Sequence, residues 1–324
     1  MALVRLGGVA DPRQTSDPRV HPDRHVRYHA PSLDCAGRLL ALDRPRILGI
    51  VNVTPDSFSD GGLHATVDAA VAHGLVLAEE GADGLDVGGE STRPGAREVP
   101  VDEELQRVVP VIERLARETS LPISIDTSKP EVMRAALAAG AGMINDVRAL
   151  QLDGALDAAA ASRAVVVLMH MQGEPRVMQQ SPHYDDVVGE VHSFLAQRIF
   201  ACEMSGIEKR RIVIDPGFGF GKTLEHNLAL LRQLARFTEL GVPVLAGLSR
   251  KSMLGSLTGR DVLSRVHASV AAALIATQNG ARLLRVHDVA ATRDALAVWQ
   301  AVSEQDVPRT SGRKAGAASW PDDD

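Results

Sequence analysis

The sequence predicts an α/β protein of the (β/α)8 class: a single TIM-barrel domain with an N-terminal hairpin and a flexible tail at each end. The first observation is a recurring pattern, a short apolar run that closes on a polar residue. Ile47 to Val51 ends on Asn52, Gly84-Leu85 on Asp86, Ile123 to Ile125 on Asp126, and Met143-Ile144 on Asn145 and Asp146. Val165 to Met169 ends on His170, Ile212 to Ile214 on Asp215, Val244 to Leu248 on Ser249, Arg250 and Lys251, and Leu283-Leu284 on Arg285. The second is that segments rich in Ala, Leu, Glu and Arg, helical in character, separate these runs, as parallel strands buried on both faces require. The third is length: 324 residues suit one such barrel. Active sites of these barrels lie at the C-terminal strand ends, so the polar residues should share one pocket.

Along the chain, residues 1–32 are rich in Pro, Asp, Arg and His without periodicity, the composition of a flexible extension. Between Leu33 and Leu42, Gly37 sets a turn, and the hairpin it makes should cap the N-terminal mouth of the barrel. The stretch from Asn52 to Gly62 is long for a βα connection and carries Pro55, Phe58, Asp60 and two glycines. A solvated turn explains the Asp and Gly residues but not Phe58, which suits a lid. A helix follows from Val67 to Glu80, stopped by Gly81.

The second loop, Gly88 to Gly95, holds Thr92 and Arg93, which either bind an oxyanion or leave Arg93 to pair with Glu90 on the surface. Val101 to Glu118 reads as an amphipathic helix with acids in its first turn. Asp126 is either a site residue or the N-cap of the helix that Pro130 opens; Asn145 is either a site residue or a turn residue. His170 reads as a hydrogen-bonded strand-end histidine, since no second histidine stands at metal-ligand spacing. Helices are expected from Tyr184 to Gly206, Leu224 to Leu240 and 262 to 279. The last should pack through Val266, Val270 and Leu274, with His267 structural.

The richest stretch is Asp215-Pro216-Gly217-Phe218-Gly219-Phe220-Gly221-Lys222. Its glycines allow tight turns and close ligand approach, and its two phenylalanines place flat apolar surface beside a carboxylate. Gly221-Lys222-Thr223 mimics half of a phosphate-cradling P-loop, but Pro216 stands at the first glycine and lacks the N–H that such a loop needs. After the seventh run, Ser249-Arg250-Lys251-Ser252 combines cations, hydroxyls and a helix start, an anion site. Arg285 and His287 alternate to one side of the eighth strand. The domain is expected over 33–303, with a flexible polar tail over 304–324.

The net charge of −6, without basic runs, gives no reason to expect nucleic acid or an acidic membrane as partner. Cys35 and Cys202 lack C-x-x-C spacing, so neither a disulfide framework nor structural zinc is expected. With no signal-peptide core or membrane span, a reducing cytoplasm fits. The pocket inventory is acids and an amide (Asp126, Asn145, Asp215) facing cations (Lys251, Arg285, His287). That set suits a small nitrogen heterocycle bearing phosphate.

Asn52 to Gly62, Gly88 to Gly95, Asp126-Thr127-Ser128, Asp215 to Lys222, Ser249 to Ser252 and Arg285-Val286-His287-Asp288 together resemble the signatures of dihydropteroate synthase. The resemblance implies transfer of a pterin-methyl group from (7,8-dihydropterin-6-yl)methyl diphosphate to 4-aminobenzoate, in folate biosynthesis, with Mg2+ and an S_N1-like path. It further implies that Asp126, Asn145, Asp215 and Lys251 hold the pterin. Asn52 would bind Mg2+ and, with Thr92, Arg285 and His287, the diphosphate. Phe58, Phe220, Pro94 and Ser252 would form the aminobenzoate site, while Asp60 and Arg93 help the two loops close. Lys251, Arg285, His287, Asp60 and Arg93 are thereby the catalytic set, and a homodimer through barrel helices is implied. A pterin-dependent methyltransferase serving a corrinoid protein would explain the acids but not the diphosphate set, and a non-catalytic pterin sensor would not need it.

Overall fold

In the computed structural model, which describes residues 32–53, 62–91, 95, 97–173, 178–179 and 181–303, the alternation of strands and helices closes into a barrel. The antiparallel hairpin β1 (Ser32–Cys35) and β2 (Arg38–Ala41) comes first, then β3 (Arg46–Asn52) and α1 (Gly62–Glu79). Next are β4 (Gly84–Gly88), α2 (Val101–Glu118), β5 (Ile123–Asp126), α3 (Pro130–Ala138), β6 (Met143–Asp146), α4 (Ala155–Ala160) and β7 (Val165–Met169). The second half runs α5 (Val187–Met204), β8 (Ile212–Asp215), α6 (Leu224–Arg232), α7 (Ala235–Thr238), β9 (Leu245–Ala246), α8 (Ser252–Thr258), α9 (Val266–Gln278), β10 (Leu283–Val286) and α10 (Val289–Ser303). Eight parallel strands pair in the order β8-β7-β6-β5-β4-β3-β10-β9. A parallel bridge between Ile214 and Val244 joins the two ends of that order.

Strand alternation sorts the side chains into two populations. Leu85, Val87, Ile123, Ile125, Val166, Leu168, Ile212, Ile214 and Leu284 point outward into the helix-covered core. The residues between them point into the barrel. Near the N-terminal mouth these are apolar: Leu48, Met143, Val165, Val213, Leu245 and Leu283 cluster with Leu33, Cys35 and Leu40 of the hairpin, which therefore plugs that end as expected. Gly142 allows the close approach, because a Cβ there would overlap the carbonyl of Cys35. Further up the interior turns polar: Met143 is followed inward by Asn145, Val213 by Asp215 and Leu283 by Arg285, and Asn52, Asp86 and Asp126 stand with them at or just below the C-terminal rim.

Four local expectations are corrected. The segment from Leu224 to Leu240 is broken after Arg232, where Asn279 Nδ2 donates to Leu231 O at 2.7 Å. Helix α9 buries Ser269, Ala272, Ala273, Ala276 and Thr277, with Val266, Val270 and Leu274 only half-buried, since small residues let it sit close. His267 is exposed and has no structural role in the core. The seventh run forms ladder bonds over only two residues, Leu245 and Ala246.

Candidate active site

A row of mutually paired positions crosses the rim: Asn52 is in register with Gly88, Gly88 with Asp126, and Asp126 with Asn145. Gly88 leaves the space between Asn52 and Asp126 without a side chain. Below that row lies Asp86, fully buried between outward-facing Leu85 and Val87. Its Oδ2 accepts from Arg285 Nε at 2.5 Å and from Asn145 Nδ2 at 3.1 Å, while Oδ1 has no partner among the described residues. The Asn145 amide is thereby oriented. Arg285 also donates through Nη2 to Asp126 Oδ2 at 2.7 Å, so one guanidinium ties together two acids from neighbouring strands. Burial pushes the Asp126 carboxyl up to about 7, with Arg285 opposing the rise and Asp86 adding to it. Asp126 caps no helix; its neighbour Thr127 accepts from the Lys129 amide instead.

Asp215 ends β8 almost fully buried, and its Oδ1 accepts from Gly217 N at 2.7 Å. Burial raises its pKa against the pull of that bond and of Lys251, Lys222 and Arg285. Gly247, on the adjacent strand end, keeps the space beside its Oδ2 open. Lys251 lies with its stem across Gly219 and its Nζ 4.1 Å from the centroid of the Phe220 ring, a cation–π contact. Phe220 lines an apolar wall with Val147, Met169 and Met178. Phe218 does not share that wall as expected: in the turn through left-handed Gly217 and Gly219 it packs into the helix-covered core.

The cations of the seventh strand end part company. Arg250 adopts a left-handed φ of 58°, over-determined by a two-point ion pair with Asp288 and by its amide bonding Ser269 Oγ at 2.9 Å. It therefore leaves the anion site to Lys251, and Ser252 opens α8 on an exposed position beside it. His287 stands half-buried with Nδ1 3.0 Å from Ser249 Oγ, which also accepts the His287 amide at 3.1 Å. Ser249 thus holds both the backbone and the ring of His287 in place.

Two more residues that end apolar runs do not face the pocket. Asp146 spends its oxygens on Ser128 and on the amides of Arg148 and Leu150. His170 is buried and bonded to Lys222. Glu90 pairs with Lys129 at 2.6 Å, and Lys129 also meets the fully buried Glu104 at 2.5 Å, so this acid anchors the stem of the second loop. Phe58, Asp60, Thr92, Arg93 and Pro94 lie outside the described residues. Asp86 faces the pocket as the strand-end pattern expects, but that pattern gave it no task; its bonds to Arg285 and Asn145 show it as the buried tether of both.

No group of three His, Cys, Asp or Glu among the described residues forms a cage for a metal ion. Asn52 offers a single hard amide oxygen at the rim, which fits a Mg2+ that arrives with substrate phosphates rather than one held by protein alone.

With this geometry in place, similarity to known proteins becomes informative. The family model described as pterin binding enzyme matches residues 48–287. The dihydropteroate synthase of Escherichia coli K12 is 51% identical over 265 residues, covering 82% of this chain and 94% of the relative. This chain belongs to the dihydropteroate synthase family. A solved structure of the Xanthomonas albilineans dihydropteroate synthase with 4-aminobenzoic acid superposes with a TM-score of 0.81 at 70% identity, covering 86% of this chain and all of that one. The same enzyme in complex with 7,8-dihydropteroate gives a TM-score of 0.78 at 67% identity. The dihydropteroate synthase barrel thus supplies both the fold and the rim on which the acids and cations above converge.

Proposed function

We propose that this chain condenses (7,8-dihydropterin-6-yl)methyl diphosphate with 4-aminobenzoate to 7,8-dihydropteroate, releasing diphosphate. The observation that carries this reading is the convergence, at one rim, of buried acids (Asp126, Asp215) and the Asn145 amide with Lys251, Arg285 and His287. An aminopyrimidine edge presents N–H donors, which the carboxylates accept; the Asn145 amide, turned by Asp86, complements the ring, and Lys251 donates to a ring carbonyl above Phe220. Arg285 and His287 meet the charge that grows on the departing diphosphate as its C–O bond breaks by an S_N1-like path. Asn52 would hold Mg2+ there, and the metal supplies further neutralisation of that leaving group.

Thr92 joins the diphosphate set in this reading. Phe220 and Ser252 form the aminobenzoate site with Phe58 and Pro94, while Asp60 and Arg93 help the two loops close and exclude water. We place the enzyme in the cytoplasm. Both cysteines are buried free thiols, and no helix among the described residues is long and apolar enough to cross a membrane. Small molecules are its ligands. Exposed Leu263, Ile275, Val298 and Val302 on and beside α9 and α10 support a homodimer through these helices, which light scattering tests directly.

The deciding experiment is diphosphate release with Mg2+, omitting each substrate in turn. Release only when both are present supports the condensation. Pterin and aminobenzoate binding without release would make the chain a sensor.

A further inference from the structure

Lys222 is 3% exposed, and the reading above gives it no task. Its Nζ lies 2.9 Å from His170 Nδ1, 3.0 Å from Phe220 O and 3.4 Å from His170 O. Three N–H donors thus meet three neutral acceptors. Among the described residues, no carboxylate comes within ion-pair distance of it. Because Nδ1 accepts, the imidazole of His170 is neutral with its proton on Nε2, and burial, with Lys222 beside it, holds its pKa down to about 3. The ring is wedged edge-on against Phe194, centroids 4.9 Å apart, and tilted against Tyr184.

These contacts stitch the end of β7 to the loop that follows β8. Gly217 has a left-handed φ of 71°, and a Cβ there would overlap His170 O. Only a glycine lets the loop pass so close. The bond to Phe220 O then fixes the residue whose ring supports Lys251. The acid nearest in influence is Asp215, around which Lys222, Lys251 and Arg285 gather. A buried carboxylate without compensating charge takes up a proton instead.

We infer that Lys222 is a positioning residue of the pterin subsite: pinned by a neutral His170, it holds Phe220 under Lys251 and places a cation on the Asp215 side of the pocket. The inference rests on the pterin reading of the site. The charged and titratable groups around Lys222 are His170 at the end of β7, Asp215 on β8 and Lys251 before α8. The Tyr184 phenol bonds Gly221 O at 2.9 Å, and His226 stacks edge-on behind it. Burial and Lys251 push Lys222 down to about 7 against the pull of Asp215, so its charge depends on every acceptor it has.

The test is the affinity for 6-hydroxymethylpterin, followed by fluorescence across pH ~5–9. Lys222→Met should weaken binding about tenfold at neutral pH and move upward the acid limb that Asp215 shares with Asp126, because Asp215 then protonates more readily. A merely structural lesion lowers the melting temperature and leaves the limb where it was, which overturns the inference. Should Lys222→Met not fold, a second pair decides. His170→Asn offers an amide oxygen where Nδ1 stood and should keep the wild-type limb; His170→Leu offers none and should reproduce the upward shift. Coincident limbs in that pair overturn the inference. A wild-type chain that binds no pterin at any pH overturns the pterin reading itself, and the role of Lys222 with it.

Discussion

Arg285 Nη2 donates to Asp126 Oδ2 at 2.7 Å, so the cation assigned to the leaving group and an acid assigned to the pterin are bonded to each other. Asp86 holds the same guanidinium from below through Nε. Among the described residues nothing bonds Nη1, which leaves that end for phosphate oxygens. Diphosphate binding would draw Arg285 toward the rim while Asp86 keeps it tethered, and Asp126 would be released to accept from the pterin. In the proposed reaction the two subsites would then be coupled through one side chain.

Arg285→Ala should slow single-turnover loss of diphosphate by about tenfold to a thousandfold, the range for removing one donor to developing charge. It should also destabilise the fold by about 3–5 kcal/mol, because Asp86 is left buried without its counter-charge. Adding Asp86→Asn should recover part of that stability, measured by urea unfolding, and none of the rate. An unchanged single-turnover rate removes Arg285 from the mechanism.

The pH dependence follows from the raised carboxyl of Asp126. Pterin binding needs the ionised form, so affinity should rise with pH through about 7, where burial has placed that group. Stability of the unliganded protein should move the other way. Between the ordinary carboxyl value of 3.8 and about 7 the folded state holds a proton that the unfolded chain has released, so this group's contribution weakens as pH rises across that window. Calorimetry with and without pterin separates the two trends. A pterin affinity that is flat across the window contradicts the assignment of Asp126.

Asp86→Asn tests the buried tether. Its negative charge helps raise Asp126, so removing it should shift the acid limb of pterin affinity to lower pH, opposite in sign to the change expected for Lys222→Met. The amide still accepts from Arg285 Nε, which keeps the packing. If the limb stays in place, Asp86 has no electrostatic hold on Asp126.

The barrel and its rim were legible because the strands are short, apolar and each closed by a polar residue, a pattern that fixes both class and pocket. Asp126, Asn145, Asp215, Lys251, Arg285 and His287 occupy that rim as the pattern required. What strand ends could not show was direction. Arg250 and Lys251 are adjacent cations, and only the left-handed turn at Arg250, with Asp288 to receive it, decides which one faces the site. Phe218 and Phe220 look alike in sequence, yet the turn through left-handed Gly217, Gly219 and Gly221 sends one to the core and one to the pocket wall. At the break after Arg232 the Leu231 carbonyl meets Asn279, a tertiary partner 48 residues away that no local signal points to.

Gly142→Ala separates folding from chemistry. The hairpin closes the mouth of the barrel opposite the rim, and its Cys35 carbonyl rests where a Cβ on Gly142 would stand. Arg38 ties the same hairpin to the end of α2 through the carbonyls of Ala116 and Leu121, at 2.7 and 2.6 Å, so the plug cannot simply slide away. Overpacking of this kind costs about 1–3 kcal/mol, or roughly 1.5–5 °C of melting temperature in a chain of this size. Because the lesion lies at the far end of the strands, kcat and both KM values of the folded fraction should match the wild type. A variant of unchanged stability would mean that the hairpin is not seated in the mouth. Lost activity at full stability would mean that the plug communicates with the rim.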